Sequence, residues 1–390
     1  MKAAPIDRLH AHGAIQALAQ GAGGLFIVVY LVRGGVPTPL VLLTMGAMNG
    51  GRFLIRPLVL PLAARLGLRR TVMLGACLEA VIFPLLPAAA HGGVALALAA
   101  LAGAVSSVIY WTAYHAYYAA LGDEAARGGQ VGRRELMSAA SSVLAPGLGG
   151  WALTTFGGAA AFGVVALVQC LSALPLSGAP EARVDLAARV SVRAALQGVL
   201  LFVGDGWIAG SAGYLWQIAL FKTLGTGFGA YGGAMAVAGL AGAVGGVFLG
   251  RHVDQGRPLR SVAVGYGAVA AGMIFKAASV GSPALAVAAN AVSAATGALA
   301  VPVLMARVYN LAKRSACPLR FHIATEAGWD LGSASGCALA ALSLGLGATM
   351  APTLLLGLLG VGLIVGLLVR GYLAPPLPGD GPGRTSAFET

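Results

Sequence analysis

Apolar segments of about twenty residues follow one another along the whole chain, and this feature most constrains its fold. An α-helix needs about 20 mostly apolar residues to cross the hydrocarbon core of a bilayer. Only helices and closed barrels satisfy their backbone hydrogen bonds there. The sequence therefore predicts an all-α integral membrane protein with twelve spanning helices. We number these segments 1 to 12, at 14–33, 38–59, 71–90, 95–120, 137–156, 159–178, 197–219, 228–249, 262–281, 284–306, 322–346 and 351–371.

The composition excludes a soluble globular protein. Apolar residues make up 58% of the chain and charged residues 10%, with a mean hydropathy of +0.84. In soluble domains, apolar residues average about 45–50% and charged residues about 25%. The net charge of +12 comes from basic residues scattered through short loops, with no basic domain that would bind nucleic acid. We expect the lipid bilayer and a small-molecule substrate as partners, no nucleic acid, and a monomer.

The basic residues are concentrated at alternate joints between the predicted segments. Of the 25 Lys and Arg residues, 20 lie before segment 1 or after an even-numbered segment. Because Lys and Arg accumulate on the cytoplasmic side, both termini are predicted to be cytoplasmic. Arg outnumbers Lys by 21 to 4, as is typical of GC-rich bacterial genomes, so a multi-pass protein of a bacterial inner membrane is expected. The exceptions to the charge pattern are Arg33, Arg52, Arg56, Lys222 and Lys276.

Two similar loops lie about half a chain apart. The loop after segment 2 reads LPLAARLGLRR from Leu60, and the loop after segment 8 reads GRHVDQGRPLR from Gly250. Duplicated halves of this kind are common in secondary transporters. With twelve spans, cytoplasmic termini and a basic central loop, the chain resembles the major facilitator superfamily, whose motif at the first loop is approximately G-x-L-a-D-R-x-G-R-R.

The resemblance implies two pseudo-symmetric six-helix bundles, at 1–178 and 196–373. A cytoplasmic linker at 179–195 would join them, and the Pro- and Gly-rich tail at 374–390 is expected to be disordered. Ala64 stands where the family has an Asp that contacts Arg, so that contact is not expected in the first half. The residues matching the loop motif are Arg65, Gly67, Arg69 and Arg70 in the first copy, and Gly250, Asp254, Gly256 and Arg257 in the second.

Segment 5 contains the sequence APGLGG. This is similar to the end of a motif found in the proton-driven exporters of the family, although Ala145 replaces its first Gly. The matching residues are Pro146, Gly147, Gly149 and Gly150. The resemblance favours export.

Charged residues within the predicted spans form two pairs. Arg52 and Arg56 lie in segment 2, and Glu326 and Asp330 lie in segment 11, each pair on one helix face. A buried charge costs at least about 2.5–3.5 kcal/mol and needs a partner, an aqueous cavity or a function. Matching depths pair Arg56 with Glu326 and Arg52 with Asp330. The family resemblance implies that segments 2 and 11 are neighbours across the two halves, so an inner gate is expected there. The alternatives are a static packing contact, or Glu79 of segment 3 as the partner of Arg52.

Asp205 stands alone within segment 7, with no basic residue nearby on the same helix. Burial disfavours the charged form of a carboxyl group, as a proton carrier requires. Asp205 is therefore predicted to couple transport to protons. A contact with a cationic substrate and a structural hydrogen bond remain the alternatives.

Aromatic residues crowd the end of segment 4, in the sequence YWTAYHAYY. Tyr110, Tyr114 and His115 belong either to an interfacial aromatic belt or to a cavity wall that recognises a flat or amphipathic molecule. Other residues expected to line the substrate path are Gln16, Gln20, Asn49, Trp207, Tyr214 and Gln217.

The sequence lacks the patterns of an enzyme or a primary pump. It has no metal-ligand spacing, no nucleotide-binding loop, and no nucleophile accompanied by a base. We expect no metal and no cofactor, with the proton gradient as energy source. The predicted function is a secondary transporter for proton-coupled export of a small organic solute. The alternatives are uptake or uniport of a metabolite, or a non-transporting accessory or sensor protein with the same fold.

Overall fold

The computed structural model of the protein describes residues 5–121, 127–183, 192–249, 257–313 and 318–373. Every regular element within these ranges is a helix. The tail and the loop residues Gly250, Asp254 and Gly256 lie outside them. The α-helices are α1 (Pro5–Ala22), α2 (Ile27–Arg33), α3 (Thr38–Leu66), α4 (Leu68–Ala80), α5 (Ile82–Ala89), α6 (Gly93–Leu121), α7 (Arg127–Leu171), α8 (Val192–Ile208), α9 (Tyr214–Thr223), α10 (Phe228–Leu249), α11 (Pro258–Ser279), α12 (Pro283–Lys313), α13 (Pro318–Gly345), α14 (Met350–Leu354) and α15 (Gly357–Leu373).

All twelve predicted segments are helical, but not all are equally apolar. Nine helices in the described ranges are long and apolar enough to cross a membrane. One of them, Ala139–Gly178, covers segments 5 and 6, which are separated by a break at Gly157 (φ 77°, ψ 172°). A positive φ favours glycine, which explains why the helix breaks at this residue. The break coincides with the predicted joint between segments 5 and 6. Segments 2 and 11 correspond to α3 and α13, which are not among the nine and which carry charged residues within their spans.

The surface is consistent with a lipid environment. Large apolar side chains are exposed on helix after helix, including Leu54, Val94, Phe156 and Leu346. Soluble proteins rarely expose extensive apolar patches. These side chains therefore face the hydrocarbon of the predicted bilayer.

The first part of the sequence, up to residue 178, meets the second part, from residue 196, along two pairs of helices. α3 packs along α13, and α7 packs along α10. Within the second part, α13 also packs closely against α8. α13 thus lies between α3 and α8, and it positions most of the buried charges described below.

Glycines explain how α13 approaches α8 so closely. Gly328, Gly332 and Gly336 repeat every four residues along one face of α13. A Cβ atom on Gly336 would lie 2.8 Å from the carbonyl oxygen of Trp207, so a larger residue cannot fit. Small residues at this spacing let membrane helices pack backbone to backbone. Glu326 and Asp330 lie about 200° around the helix from Gly328 and Gly332, at 3.6 residues per turn, and face α3 instead.

Candidate functional site

Four charged side chains meet between α3 and α13, and we call them the charge cluster: Arg52, Arg56, Glu326 and Asp330. Arg52 Nε lies 3.0 Å from Asp330 Oδ1. Arg56 Nη1 lies 2.5 Å from Glu326 Oε2, and Arg56 Nη2 lies 2.5 Å from Asp330 Oδ2. Arg56 Nε also donates to Asp330 Oδ2 at 2.9 Å. Asp330 is therefore shared by both arginines.

The charge cluster is most deeply buried at its centre. The side chains of Arg56 and Asp330 are 2% and 0% exposed, whereas those of Arg52 and Glu326 are 13% and 18% exposed. Arg56 Nη1 also donates to Thr112 Oγ1 of α6 at 3.1 Å. Two positive and two negative charges balance, as buried ions require to offset their desolvation.

Both contacts expected from residue depth are present in the charge cluster, Arg56 with Glu326 and Arg52 with Asp330. Sequence reasoning missed the contact between Arg56 and Asp330. Depth along the membrane normal follows from residue number, but this contact depends on how α3 and α13 are rotated about their axes. No signal in a single sequence reports that rotation.

Polar contacts continue from the charge cluster towards the start of α3. Asn49 Nδ2 donates to Ser333 Oγ at 2.8 Å, which joins α3 to α13 one turn further along. Tyr214 of α9 interacts with both of these side chains. Asn49 and Tyr214, both predicted to line the substrate path, are thus brought together here.

Trp329 connects Asp205 with the charge cluster. Its indole Nε1 donates to Asp205 Oδ2 at 3.1 Å. The guanidinium carbon of Arg52 lies 5.3 Å from the centre of the Trp329 ring, within the range of a cation–π interaction. Sequence reasoning found Asp205 but missed Trp329, although its position next to Asp330 was a usable signal.

Glu79 is surrounded by three glutamine side chains, and we call this group the glutamine cluster. The Nε2 atoms of Gln16, Gln20 and Gln169 donate to Glu79 Oε2 at 3.4, 3.3 and 2.9 Å. Glu79 is 3% exposed and forms no ion pair with a basic side chain of the described ranges. Arg52 acts on it electrostatically without a direct contact. The alternative pairing of Arg52 with Glu79 is thus not formed, and Gln169 was not predicted.

A buried histidine lies beside the glutamine cluster. His12 Nδ1 lies 2.7 Å from the carbonyl oxygen of Ser172, and His12 Nε2 lies 3.0 Å from the Tyr110 hydroxyl. A carbonyl oxygen only accepts hydrogen bonds, so Nδ1 carries a proton. In the neutral ring, Nε2 then accepts from Tyr110, which orients this tyrosine.

The aromatic residues at the end of α6 form one wall of a cavity of about 210 Å³, which we call the aromatic pocket. Tyr110 stacks on Tyr114 with ring centres 5.6 Å apart, and Trp111 stacks on His115 at 5.7 Å. Gln16 belongs to both the pocket and the glutamine cluster. The pocket is lined by His10, Gly13, Ala14, Gln16, Ala17, Tyr110, Trp111, Tyr114, His115 and Met137.

Trp207 and Gln217, also predicted to line the substrate path, are not among the residues that line the aromatic pocket. Trp207 Nε1 donates to the carbonyl oxygen of Leu356 at 2.9 Å, so this side chain faces the last helices of the chain. Helical spacing alone does not fix which face of α8 turns inward, so the sequence did not predict this contact of Trp207. Gln217 lies half-buried on α9 and is not among the residues that line the aromatic pocket.

The first loop motif binds the chain segment that follows α7. Gly67 has φ 84°, a conformation that favours glycine, and it joins α3 to α4. Arg69 Nη1 donates to the carbonyl oxygen of Ala179 at 2.8 Å, and Arg69 Nε lies 3.5 Å from Glu181 Oε2. Arg70 Nε lies 4.0 Å from the same oxygen. Glu181 thus supplies the acidic partner for the arginines of this loop that Ala64 cannot supply. The sequence did not reveal this partner because Glu181 lies in a distant segment of the chain.

Among the other motif residues, two glycines of α7 stand at close helix contacts. A Cβ atom on Gly149 would collide with the carbonyl oxygen of Ala22, and one on Gly150 would lie 2.5 Å from that of Phe228. Gly149 and Gly150 therefore let α7 approach α1 and α10. Pro146 and Gly147 lie on the same helix, Arg65 lies in the last turn of α3, and Arg257 immediately precedes α11.

Comparison with known proteins supports the fold. Neither a protein-family model nor a curated protein matches the sequence. The crystal structure of the human organic anion transporter MFSD10 (TETRAN) aligns with a TM-score of 0.65 at 16% sequence identity, over 92% of this chain and 98% of that chain. A likeness at this identity shows the fold alone. The prediction of an all-helical membrane fold is confirmed.

Proposed function

We propose that the protein is a secondary transporter that moves a small organic solute across a bacterial inner membrane by alternating access. The observation that carries the proposal is the buried charge cluster, which joins the first and second parts of a chain with a transporter fold. In this proposal, residues 1–178 and 196–373 form two six-helix halves of twelve spans, the linker at 179–195 joins them, and both termini are cytoplasmic. The protein carries out no catalysis and uses an ion gradient instead of a cofactor.

The charge cluster acts as the inner gate. It lies between α3 and α13, one helix from each proposed half, so rocking of the halves must separate Arg52 and Arg56 from Glu326 and Asp330. Separation of buried ion partners without compensation is strongly unfavourable. The gate therefore opens only when water, substrate or a proton replaces the lost partners.

Proton coupling is assigned to Asp205, with Glu79 as a second buried carboxylate. Neither forms an ion pair with a basic side chain in the described ranges, so each can accept a proton without leaving a cation unpaired. Asp205 also reaches Arg52 through Trp329. Protonation of Asp205 changes the charge beside Trp329, and this links proton uptake to the inner gate.

The substrate is assigned to the aromatic pocket. Its stacked rings offer flat apolar surfaces, and Gln16, His10 and His115 add polar contacts at its edges. Such a mixture suits a small amphipathic or aromatic solute. Because the structural neighbour is an organic anion transporter, organic anions are the first class to test.

The favoured direction is export, on the similarity of the segment containing Pro146 to an exporter motif. Uptake or uniport of a metabolite is the alternative within transport. A non-transporting accessory or sensor protein is the alternative outside it, but the retained buried charges argue against loss of transport.

The decisive experiment measures the internal pH of proteoliposomes that contain the purified protein. They are challenged with amphipathic cations, organic anions and neutral metabolites, using wild type, Asp205→Asn, and Asp380→Asn in the tail as the matched control. We expect a substrate-dependent proton flux in wild type and Asp380→Asn that is lost in Asp205→Asn. Flux that persists in Asp205→Asn would remove the coupling role from Asp205. Substrate movement without proton flux would favour uniport, and the absence of both would favour the non-transporting alternative.

A further inference from the structure

A second cavity, of about 610 Å³, lies at the opposite end of the molecule from the aromatic pocket. It is formed where four helix joints converge: α2 to α3, α5 to α6, the break in α7 at Gly157, and α9 to α10. All four joints lie on one side of the membrane in the predicted topology, opposite the termini. We call this cavity the outer vestibule; its principal lining residues are Tyr30, Arg33, His91, Thr154, Phe228 and Ala230.

The side chains of the outer vestibule that can carry a charge near neutral pH are basic. Arg33 and His91 are both exposed, and no Asp or Glu occurs among the lining residues of the described chain. Arg33 Nη1 donates to the carbonyl oxygen of Thr226. No other hydrogen bond or ion pair of this guanidinium is formed within the described ranges, so Nε and Nη2 can donate to a ligand.

An aromatic surface lies directly against this charge. The guanidinium carbon of Arg33 lies 4.8 Å from the centre of the Phe228 ring. Tyr30 also stacks on Phe228, with the two ring centres 5.8 Å apart, and Phe228 is only 8% exposed, so Tyr30 is the more accessible of the two rings. A ligand with an anionic group and a flat apolar body can thus use both surfaces at once, since Arg binds carboxylates in a planar, bidentate geometry.

The turn that carries Phe228 has a constrained backbone. Thr226 has φ 60°, a left-handed conformation that is unusual for a β-branched residue. Such conformations persist only where the surrounding structure fixes them, and they are frequent at binding sites. The bond from Arg33 to the Thr226 carbonyl oxygen is one such fixing contact, and it holds the guanidinium beside Phe228.

We propose that the outer vestibule binds a small organic anion with an aromatic or apolar body, with its carboxylate on Arg33 and its body against Phe228 and Tyr30. Nothing in the transport proposal requires this site, and binding can be measured without transport. Only its placement on the outer face rests on the proposed topology.

The test uses Ala230→Cys, since Ala230 is exposed on the cavity wall. In sealed proteoliposomes, a membrane-impermeant maleimide is added to one side at a time, and modification of the peptide containing position 230 is measured by mass spectrometry. Benzoate is the anionic probe, and benzylamine and benzyl alcohol are its cationic and neutral counterparts. A ligand at ten times its Kd leaves about one site in eleven free, so benzoate should slow labelling about tenfold.

Variants at Arg33 decide the assignment. We expect Arg33→Gln to abolish protection by benzoate, Arg33→Lys to retain part of it, and Arg370→Gln, at the far end of α15, to leave it unchanged. Equal protection by benzyl alcohol, or full protection in Arg33→Gln, would overturn the proposal. Arg33-dependent protection with labelling only from the side of the termini would uphold the site and overturn the topology instead. Loss of transport with intact protection would contradict only the transport proposal.

Discussion

The two ends of the contact between the first and second parts of the chain are built from different chemistry. The charge cluster is buried and joins four ionised side chains, with Asp330 fully enclosed. At the other end, Arg33 donates to the Thr226 carbonyl oxygen at an exposed contact, and Lys222 Nζ donates to Thr38 Oγ1 at 3.1 Å at a half-buried one; both partners are neutral. One contact loses ionic partners when it opens, and the other exchanges neutral partners for water.

This difference indicates which gate controls the proposed transport cycle. Exposed charged contacts contribute about 0–1 kcal/mol, whereas removal of one member of a buried ion pair costs about 3–5 kcal/mol. Breaking the two outer hydrogen bonds therefore costs much less than breaking the charge cluster. The charge cluster needs a compensating event, and the neighbouring Asp205 and Trp329 are placed to provide one.

The largest effect is expected for Asp330→Asn. The substitution leaves Arg52 and Arg56 with Glu326 as their remaining ion partner, which should lower the free energy of unfolding by about 3–5 kcal/mol. Thermal unfolding of the detergent-purified protein measures the loss. Transport should disappear as well.

Charge balance provides the control for this prediction. The double variant Arg52→Gln, Asp330→Asn removes one charge of each sign and keeps the 2.5 Å contact of Arg56 with Glu326. We expect it to be more stable than Asp330→Asn alone, a non-additivity that a double-mutant cycle detects. A wild-type unfolding temperature for Asp330→Asn would show that the charge cluster is not held as an ionic contact.

Much of the fold and part of the site were predictable from the sequence. The spans follow from apolar segment length, and the pairing of α3 with α13 was expected from their opposite charges at matching depths together with the family resemblance. Contacts that depend on helix rotation were not predictable, such as Asp330 between two arginines or Trp207 facing the last helices. Contacts from distant segments were equally hidden, such as Gln169 on Glu79 and Glu181 on Arg69.

Glu79→Gln separates burial from ionic pairing, because Glu79 is as buried as the charge cluster but has neutral partners. Hydrogen bonds to a charged group are worth about 1.5–3 kcal/mol and neutral ones about 0.5–1.5. With three amide donors, we expect an overall loss of about 1–3 kcal/mol, smaller than that of Asp330→Asn. Thermal unfolding of the two variants side by side checks the order. A larger loss for Glu79→Gln would mean that burial, not ionic pairing, distinguishes the inner contact.

Trp329→Phe tests whether Asp205 and the charge cluster act together. The variant removes the indole donor to Asp205 but keeps an aromatic ring beneath Arg52, so stability should fall by about 1 kcal/mol. Proton flux per transported solute should fall more than solute movement itself. Trp329→Leu also removes the cation–π contact with Arg52, so its stability and its proton flux per transported solute should both fall further. Identical stoichiometry in wild type and Trp329→Phe would disconnect Asp205 from the inner gate.

The smallest effect is expected at the outer contact. Lys222→Gln keeps a donor near Thr38 but removes the charge, and Thr38→Val removes the acceptor. Because the partners are neutral and Lys222 itself is exposed, each change should alter the free energy of unfolding by no more than about 0.5 kcal/mol. Thr38→Val should also leave the transport rate within about twofold of wild type, since a 0.5 kcal/mol change in a barrier corresponds to that factor. A loss comparable to that of Asp330→Asn would erase the difference between the two ends and make the outer contact a second controlling gate.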